Sequence, residues 1–183
     1  MRLWLVRHGP THARTLIGRT ERPADLSDTA ALGRLAAALP DAPVVSSDLG
    51  RARATADALA RGRPRLADVR GLREFDYGAW EDRPFAEFDG PLSRAFFERP
   101  GDVAPPGGES WNAVERRAVA AVDALAADHA ELIAVAHFGV ILILWARAAG
   151  LPPAAALAQP VEPLSLTRID WAPPRAHYAN RCP

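Results

Sequence analysis

The chain has 183 residues, 49% of them hydrophobic and 24% charged, which is enough apolar material for one buried core and excludes a disordered or fibrous protein. Its 22 basic and 22 acidic side chains cancel, so no surface-wide positive field is available for nucleic acid or anionic lipid. Every cation is Arg, which excludes a Walker-type phosphate loop and any lysine Schiff base, pyridoxal lysine included.

In chain order, Arg2 to Val6 is a short apolar run ending near Gly9-Pro10, as a buried strand would. Ser27 is placed to cap a helix whose Leu32, Leu35, Ala36 and Leu39 recur at helical spacing until Pro40 stops it. Val44 to Ser46 predicts a second strand, Arg51 to Ala60 a helix with Ala52, Ala56 and Leu59 on one face, and Leu66 to Val69 a weaker strand. Residues 71 to 109 mix aromatic and charged residues with the turn-rich Pro100 to Gly108, a pattern of short helices and loops suited to a lid. Ser110 caps a long helix with Trp111, Val114, Ala118, Val122 and Leu125 on one stripe. Leu132 to Ala136 is another strand, Gly139 to Ala149 an apolar helix stopped by Gly150 and Pro152, and Leu164 to Asp170 the expected last strand.

Alternating strands and helices predict a single α/β domain over residues 1–183, a three-layer sandwich with a mostly parallel central sheet, helices on both faces and a lid at about 71–109. Cys182 is the only cysteine, which excludes an internal disulfide and a CxxC redox pair. The N-terminal apolar stretch is too short for a signal peptide, and the run Leu132 to Ala146 is too short to cross a membrane. A cytoplasmic protein with no membrane or nucleic-acid partner is expected, and its oligomeric state is not readable because core and interface stripes look alike.

In α/β sheets ligands bind beyond the carboxyl ends of the strands. There stand Arg7 and His8 after the first strand, Ser46, Ser47 and Arg51 after the second, and His137 after Leu132 to Ala136. Two guanidiniums and two imidazoles at one sheet end suit a tetrahedral dianion, since Arg presents a planar fork of donors and His a donor or a nucleophile. Singly, each has a plainer reading as a structural His or a solvated Arg. His8 and His12 are spaced like a zinc pair, but Gly9 and Pro10 break the helix that pair needs, so no metal is expected.

The motifs Leu5-Val6-Arg7-His8-Gly9-Pro10-Thr11, Ser46-Ser47-Asp48-Leu49-Gly50-Arg51-Ala52, Leu72-Arg73-Glu74-Phe75-Asp76-Tyr77-Gly78 with Trp80-Glu81, Gly108-Glu109-Ser110 and Val135-Ala136-His137-Phe138-Gly139 resemble, in order, those of the histidine phosphatase superfamily, also called phosphoglycerate mutase-like. The resemblance implies that His8 accepts the phosphoryl group, that Arg7, Arg51 and His137 bind its oxygens, and that Glu74 is the general acid and base. Thr11 is a further candidate for the phosphate, and Arg14, Thr20 and Glu81 are candidates for the substrate. Arg14 stands where the family often has Asn, Trp80-Glu81-Asp82 replaces the usual WEG, and Gly18-Arg19-Thr20-Glu21 replaces GxTD.

The expected activity is a metal-independent, cofactor-free phosphomonoester hydrolase working through a phosphohistidine on a small phosphorylated metabolite, α-ribazole phosphate or a sugar phosphate among them. A phosphoglycerate-type mutase is the alternative reaction, and a non-catalytic phosphate-binding module the alternative from another class. Neighbouring arginines should hold His8 neutral, and an adjacent phosphate should raise the Glu74 pKa. Arg83, Arg94 and Arg99 in the lid either recognise a second anionic group or are solvated charges.

Overall fold

A computed structural model describes residues 1–183. Five strands form one mixed sheet in the order β2-β3-β1-β4-β5. β1 (Arg2–Arg7), β2 (Val44–Ser46) and β3 (Glu131–Ala136) are parallel and occupy its centre and one side, whereas β4 (Leu166–Asp170) and β5 (Arg175–Arg181) add antiparallel pairs on the other. The sandwich is therefore the expected one.

Strand alternation divides the core. Leu3, Leu5, Leu132 and Ala134 face one way, onto α4 (Trp111–Asp128) and α5 (Phe138–Ala149). Val6, Ile133 and Val135 face the other, onto α1 (Thr29–Ala38) and α2 (Gly50–Ala60). A central parallel strand covered on both faces must be apolar at successive positions, which is why these strands read as unbroken runs. All seven of these side chains are 0–1% exposed.

Helix ends follow local chemistry, with one correction. Ser110 accepts from the Ala113 N–H as an N-cap, and Gly150 closes α5 in the left-handed conformation at φ 65°. The cap of α1 is Asp28, not Ser27: its Oδ1 accepts from the Ala31 N–H at 2.8 Å.

The weak strand expected at Leu66 to Val69 does not form. That stretch runs beside β2 through a single bridge from Val44 to Arg65 and the bonds Leu66 N–H to Val44 O and Val69 N–H to Ser46 O, then turns away. Leu164 and Ser165 precede rather than join β4. The chain also continues past that strand into β5, a half-exposed edge strand whose polar sequence carries no clear alternation.

Residues 70–98 form three 3-10 turns at Arg70–Leu72, Gly78–Trp80 and Phe85–Glu87, followed by α3 (Pro91–Glu98). Four of the large aromatics here fold inward, whereas Phe85 stays exposed. Phe75, Tyr77, Trp80 and Phe96 are each no more than 7% exposed, with Phe75 stacked on Tyr77 at 5.7 Å and edge-on to Phe96 at 5.9 Å. A short α6 (Pro153–Ala156) packs on α5. No helix is long and apolar enough to cross a membrane.

Candidate active site

Parallel register assembles the site. Arg7 pairs with Ala136 and Ser46 with Val135, so the residues that follow (His8, Ser47 and His137) emerge side by side at one sheet end. The backbone extends the ladder one step, His8 N–H donating to Ala136 O at 3.1 Å and Ser47 N–H to Val135 O at 3.1 Å. The His8 and His137 rings lie 5.1 Å apart.

Beside them opens a hollow of about 210 Å³ whose polar lining includes Arg7, His8, Arg51, Glu74 and Thr11. Five of the residues singled out from the sequence thus share one cavity, although they come from three chain segments. His137 does not reach that surface. It is fully buried behind His8, with Nε2 2.6 Å from Ser47 Oγ and Nδ1 without a partner.

His8 is held in one tautomer. Nδ1 lies 2.7 Å from the Gly9 carbonyl oxygen, and a carbonyl can only accept, so Nδ1 carries the proton and Nε2 the lone pair. Arg51 donates its Nε–H to that lone pair at 3.1 Å. Burial, reinforced by the Arg51 charge and to a smaller degree by Arg7, pushes the His8 pKa down to about 3. Burial and the nearby His8 and Arg51 likewise hold His137 well below the ordinary histidine range.

Arg51 is a buried guanidinium, 1% exposed, aimed by a loop. It donates to Thr20 O at 3.0 Å and to Gly18 O, while Glu21 accepts from the Gly50 N–H at the start of α2 and so fixes the helix that carries it. Glu21 has no place in the sequence-derived site; its visible signal was the Gly18-Arg19-Thr20-Glu21 segment. Gly18 is obligatory: a Cβ there would lie 2.1 Å from Phe75 O. Arg7 donates to Val161 O at 2.6 Å, its guanidinium sits 5.5 Å from the Phe138 ring centroid, and its Nε is buried with no partner.

Glu74 is 4% exposed, and each carboxyl oxygen accepts one backbone N–H at 3.0 Å, from Phe75 and from Gly139 in the first turn of α5. Gly139 leaves no room for a side chain, since a Cβ would lie 2.5 Å from the Phe75 ring and 2.6 Å from Glu74 Oε1. Burial raises the Glu74 pKa against the pull of those two N–H groups and of Arg51 and Arg7. Desolvation by the fold therefore raises this carboxyl even without the phosphate neighbour that sequence reasoning invoked.

Two of the substrate candidates have another task. Glu81 accepts from the N–H groups of Gly18, Arg19, Thr20 and Tyr77 and from the Thr20 hydroxyl, at 2.7–3.1 Å. Its oxygens are committed to the loop that aims Arg51, and Thr20 contributes its carbonyl to Arg51 and its hydroxyl to Glu81; neither side chain lines the hollow. Arg14 is exposed and also absent from the lining, although its neighbours Ala13 and Thr15 belong to it. Asp82, where a glycine is usual, takes a left-handed φ of 54° and is held by Thr15 Oγ1 and Arg22.

Arg117 escaped the sequence reading altogether. It makes a two-bond pair with Glu109 at 2.8 and 2.9 Å and donates to the carbonyls of Gly71, Arg73 and Glu74 at 2.6–2.9 Å, so the strap that delivers Glu74 is pinned to α4. The Gly-Glu-Ser motif was the signal: Glu109 also accepts the Asp76 N–H and pairs with Arg19. None of residues 83–99 lines the hollow, and no three His, Cys, Asp or Glu side chains are grouped to hold a metal.

Residues 3–180 match the family model of the histidine phosphatase superfamily (branch 1), and the chain belongs to that family. It is an enzyme of the histidine-phosphatase type. Among curated relatives, it is 32% identical over 167 residues to the adenosylcobalamin/alpha-ribazole phosphatase of Salmonella typhimurium, covering 84% of this chain and 82% of that protein. It is 27% identical over 183 residues to a probable phosphoglycerate mutase of Proteus mirabilis, covering 93% and 85%. Among solved structures, the native mycobacterial glucosyl-3-phosphoglycerate phosphatase superposes with a TM-score of 0.83 at 27% identity, covering 100% of this chain and 99% of that one.

Proposed function

We propose that the protein hydrolyses a phosphomonoester of a small metabolite through a phosphohistidine at His8, with guanidinium groups rather than a metal carrying the positive charge. The observation that carries this reading is the His8 ring: its proton is tied to the Gly9 carbonyl, and its lone pair faces a hollow lined by Arg7, Arg51 and Glu74.

His8 Nε2 attacks phosphorus as the phosphorus–oxygen bond to the alcohol breaks. Arg51 releases the lone pair as the phosphoryl group arrives and turns its charge toward the oxygens, together with Arg7. A buried donor without a protein partner, Arg7 Nε, suits an oxyanion, because an unmet buried donor costs roughly 1–3 kcal/mol. Thr11 adds a hydroxyl to the same lining.

Protonated Glu74 gives its proton to the departing alkoxide, and the resulting carboxylate takes one from water, whose oxygen attacks phosphorus and breaks the phosphorus–nitrogen bond. The water oxygen ends in inorganic phosphate, the electron pair of the broken bond returns to His8 Nε2, and Glu74 is again protonated. The raised Glu74 pKa supports the first role, and the depressed His8 pKa keeps the nucleophile uncharged. Water is the acceptor in this reading, in keeping with the phosphatase names of several relatives, with α-ribazole phosphate and sugar phosphates as candidate substrates.

Phosphate release from p-nitrophenyl phosphate and from those esters, with a chelator present, tests the proposal. Undiminished turnover is expected. Release that requires added divalent metal removes the arginine-only account, and release that occurs only as phosphoryl transfer between phosphoglycerates, stimulated by 2,3-bisphosphoglycerate, makes the protein a mutase.

A further inference from the structure

We infer that Glu81 is the positioning residue for Arg51: through the Gly18–Arg19 peptide and its neighbours, this carboxylate holds the guanidinium in the orientation that receives the phosphoryl group. The inference rests on the phosphomonoesterase reading of the hollow and gives a task in catalysis to a side chain outside its lining.

A guanidinium has five N–H bonds, and the protein takes three of those on Arg51. Nε–H goes to His8 Nε2 at 3.1 Å, Nη1 donates to Thr20 O at 3.0 Å and Nη2 to Gly18 O. The two carbonyls fix the guanidinium plane and leave one hydrogen on each Nη for an incoming ligand, as paired donation to phosphoryl oxygens requires. Those carbonyls need support of their own. Residues 18–20 belong to no helix or strand and make no backbone–backbone hydrogen bond.

Glu81 supplies that support. Its Oε1 accepts from the N–H groups of Arg19 at 2.7 Å and Tyr77 at 3.1 Å, and its Oε2 from those of Gly18 and Thr20 at 3.1 Å and from the Thr20 hydroxyl at 2.7 Å. The Gly18–Arg19 peptide joins the two charges directly: its carbonyl accepts from Arg51 and its N–H donates to Glu81, so one peptide dipole lies between guanidinium and carboxylate. Burial opposes the Glu81 charge, yet the Thr20 hydroxyl and the surrounding N–H groups outweigh it and hold the carboxyl below its ordinary range. An ionised carboxylate accepts at both oxygens. A glutamine there would turn its NH2 group against at least two donors, whichever way round it sits. Asp76 and Glu109 hold only the Arg19 side chain, and Gly50 only the Glu21 side chain, so neither contact replaces Glu81 at the loop backbone.

A double-mutant cycle separates positioning from general support of the fold. Calorimetry gives the affinity for inorganic phosphate, kcat/KM is measured with p-nitrophenyl phosphate, and nitrogen-15 spectra at pH 7 read the His8 Nε2 resonance, which senses its bond from Arg51. Glu81→Gln should weaken phosphate binding and lower kcat/KM by about 10- to 100-fold, the effect of a displacement of about 1 Å at a reacting centre. It should also move the His8 Nε2 resonance toward that of a nitrogen without a hydrogen bond. In an Arg51→Met background the same substitution should change either quantity by no more than about twofold, because the group it acts through is gone. Thr20→Val, which takes one donor from Oε2, should act in the same direction by about three- to tenfold, and replaces Glu81→Gln in the cycle if that variant does not fold. Unchanged phosphate affinity and His8 resonance in the folded variant, or losses that add in full to those of Arg51→Met, overturn the inference and leave the phosphatase reading intact. Weakened phosphate binding and a moved His8 resonance, with no ester hydrolysed even by the unaltered protein, uphold the positioning role and remove the phosphatase reading. Unaltered protein that neither binds phosphate nor hydrolyses an ester removes both.

Discussion

The two halves of the active site are built by different means. His8, Ser47 and His137 are set by the register of three parallel strands, which the backbone bonds His8 N–H to Ala136 O and Ser47 N–H to Val135 O carry one step further. Glu74 comes from a strap with no strand or α-helix of its own, and its position depends on Arg117, Glu109, Phe75 and Gly139. The proposed nucleophile, whose ring must hold one tautomer, is placed by strand register. The proposed proton carrier is placed by charged side chains around a loop, and is correspondingly open to change by single substitutions.

That contrast can be broken most decisively at the sheet end. His8→Ala should abolish turnover, because the phosphohistidine cannot form and the remaining groups have no nucleophile to serve. Initial rates with p-nitrophenyl phosphate check this, and near-normal activity would detach the register-built cluster from the chemistry.

At the strap, Glu74→Gln should lower kcat by about 10²- to 10⁴-fold for alkyl phosphates, and by less for p-nitrophenyl phosphate, whose leaving group scarcely needs a proton. The pH profile sharpens the point. The acid form of Glu74 is the active donor and its folded pKa is raised, so activity should persist above the ordinary carboxyl range near 4.5 and fall as pH rises through the shifted value. The acid-side loss of neutral His8 should appear only toward pH 3. Glu74→Gln should remove the alkaline limb that belongs to the carboxyl group.

Arg117→Met should lower kcat by about 10- to 100-fold while changing KM less, since a displacement of about 1 Å at a reacting group can cost that much. Arg117→Lys should recover part of the rate but not the two-bond pairing with Glu109. If the Arg117→Met enzyme keeps its kcat and its pH profile, the strap does not need this pin, and the comparison between the two halves fails on that side.

The smallest effect expected is on stability. Gly139→Ala forces a Cβ against the Phe75 ring and Glu74 Oε1, and should destabilise by about 1–3 kcal/mol in denaturant melts. The buried His8 gives stability a pH dependence of definite sign. Its pKa is depressed on folding from 6.5 to about 3, so the unfolded chain binds the extra proton and stability falls as pH drops from about 6.5 toward 3. His8→Gln should flatten that slope.

The same division explains what could be read from the sequence. Unbroken apolar runs such as Leu132 to Ala136, with catalytic residue types directly after them, announce a covered parallel strand and its ligand end. Their local pattern is enough to place His8 and His137 together, and the structure brings them to ring contact distance. Arg175–Arg181 lacked that signal because an edge strand exposed to water needs no apolar face. Arg117 was hidden among the charges of an ordinary amphipathic helix, and Glu81 and Thr20 looked like substrate ligands because a carboxylate that organises four backbone N–H groups has the same composition as one that binds a ligand. Arg14 could not be placed, since its exposure is decided by the loop around it. Depth is likewise invisible in one dimension: His137 lies behind His8 and not on the cavity surface.

Rapid quench during turnover of a phosphomonoester, followed by mass spectrometry of the digested protein, tests the central claim most directly. The account predicts an acid-labile, alkali-stable phosphoryl group on His8 that appears and decays at rates compatible with kcat, and that is absent from His8→Ala. Steady turnover with no such adduct at any time, or with the phosphoryl group on another residue, would contradict it.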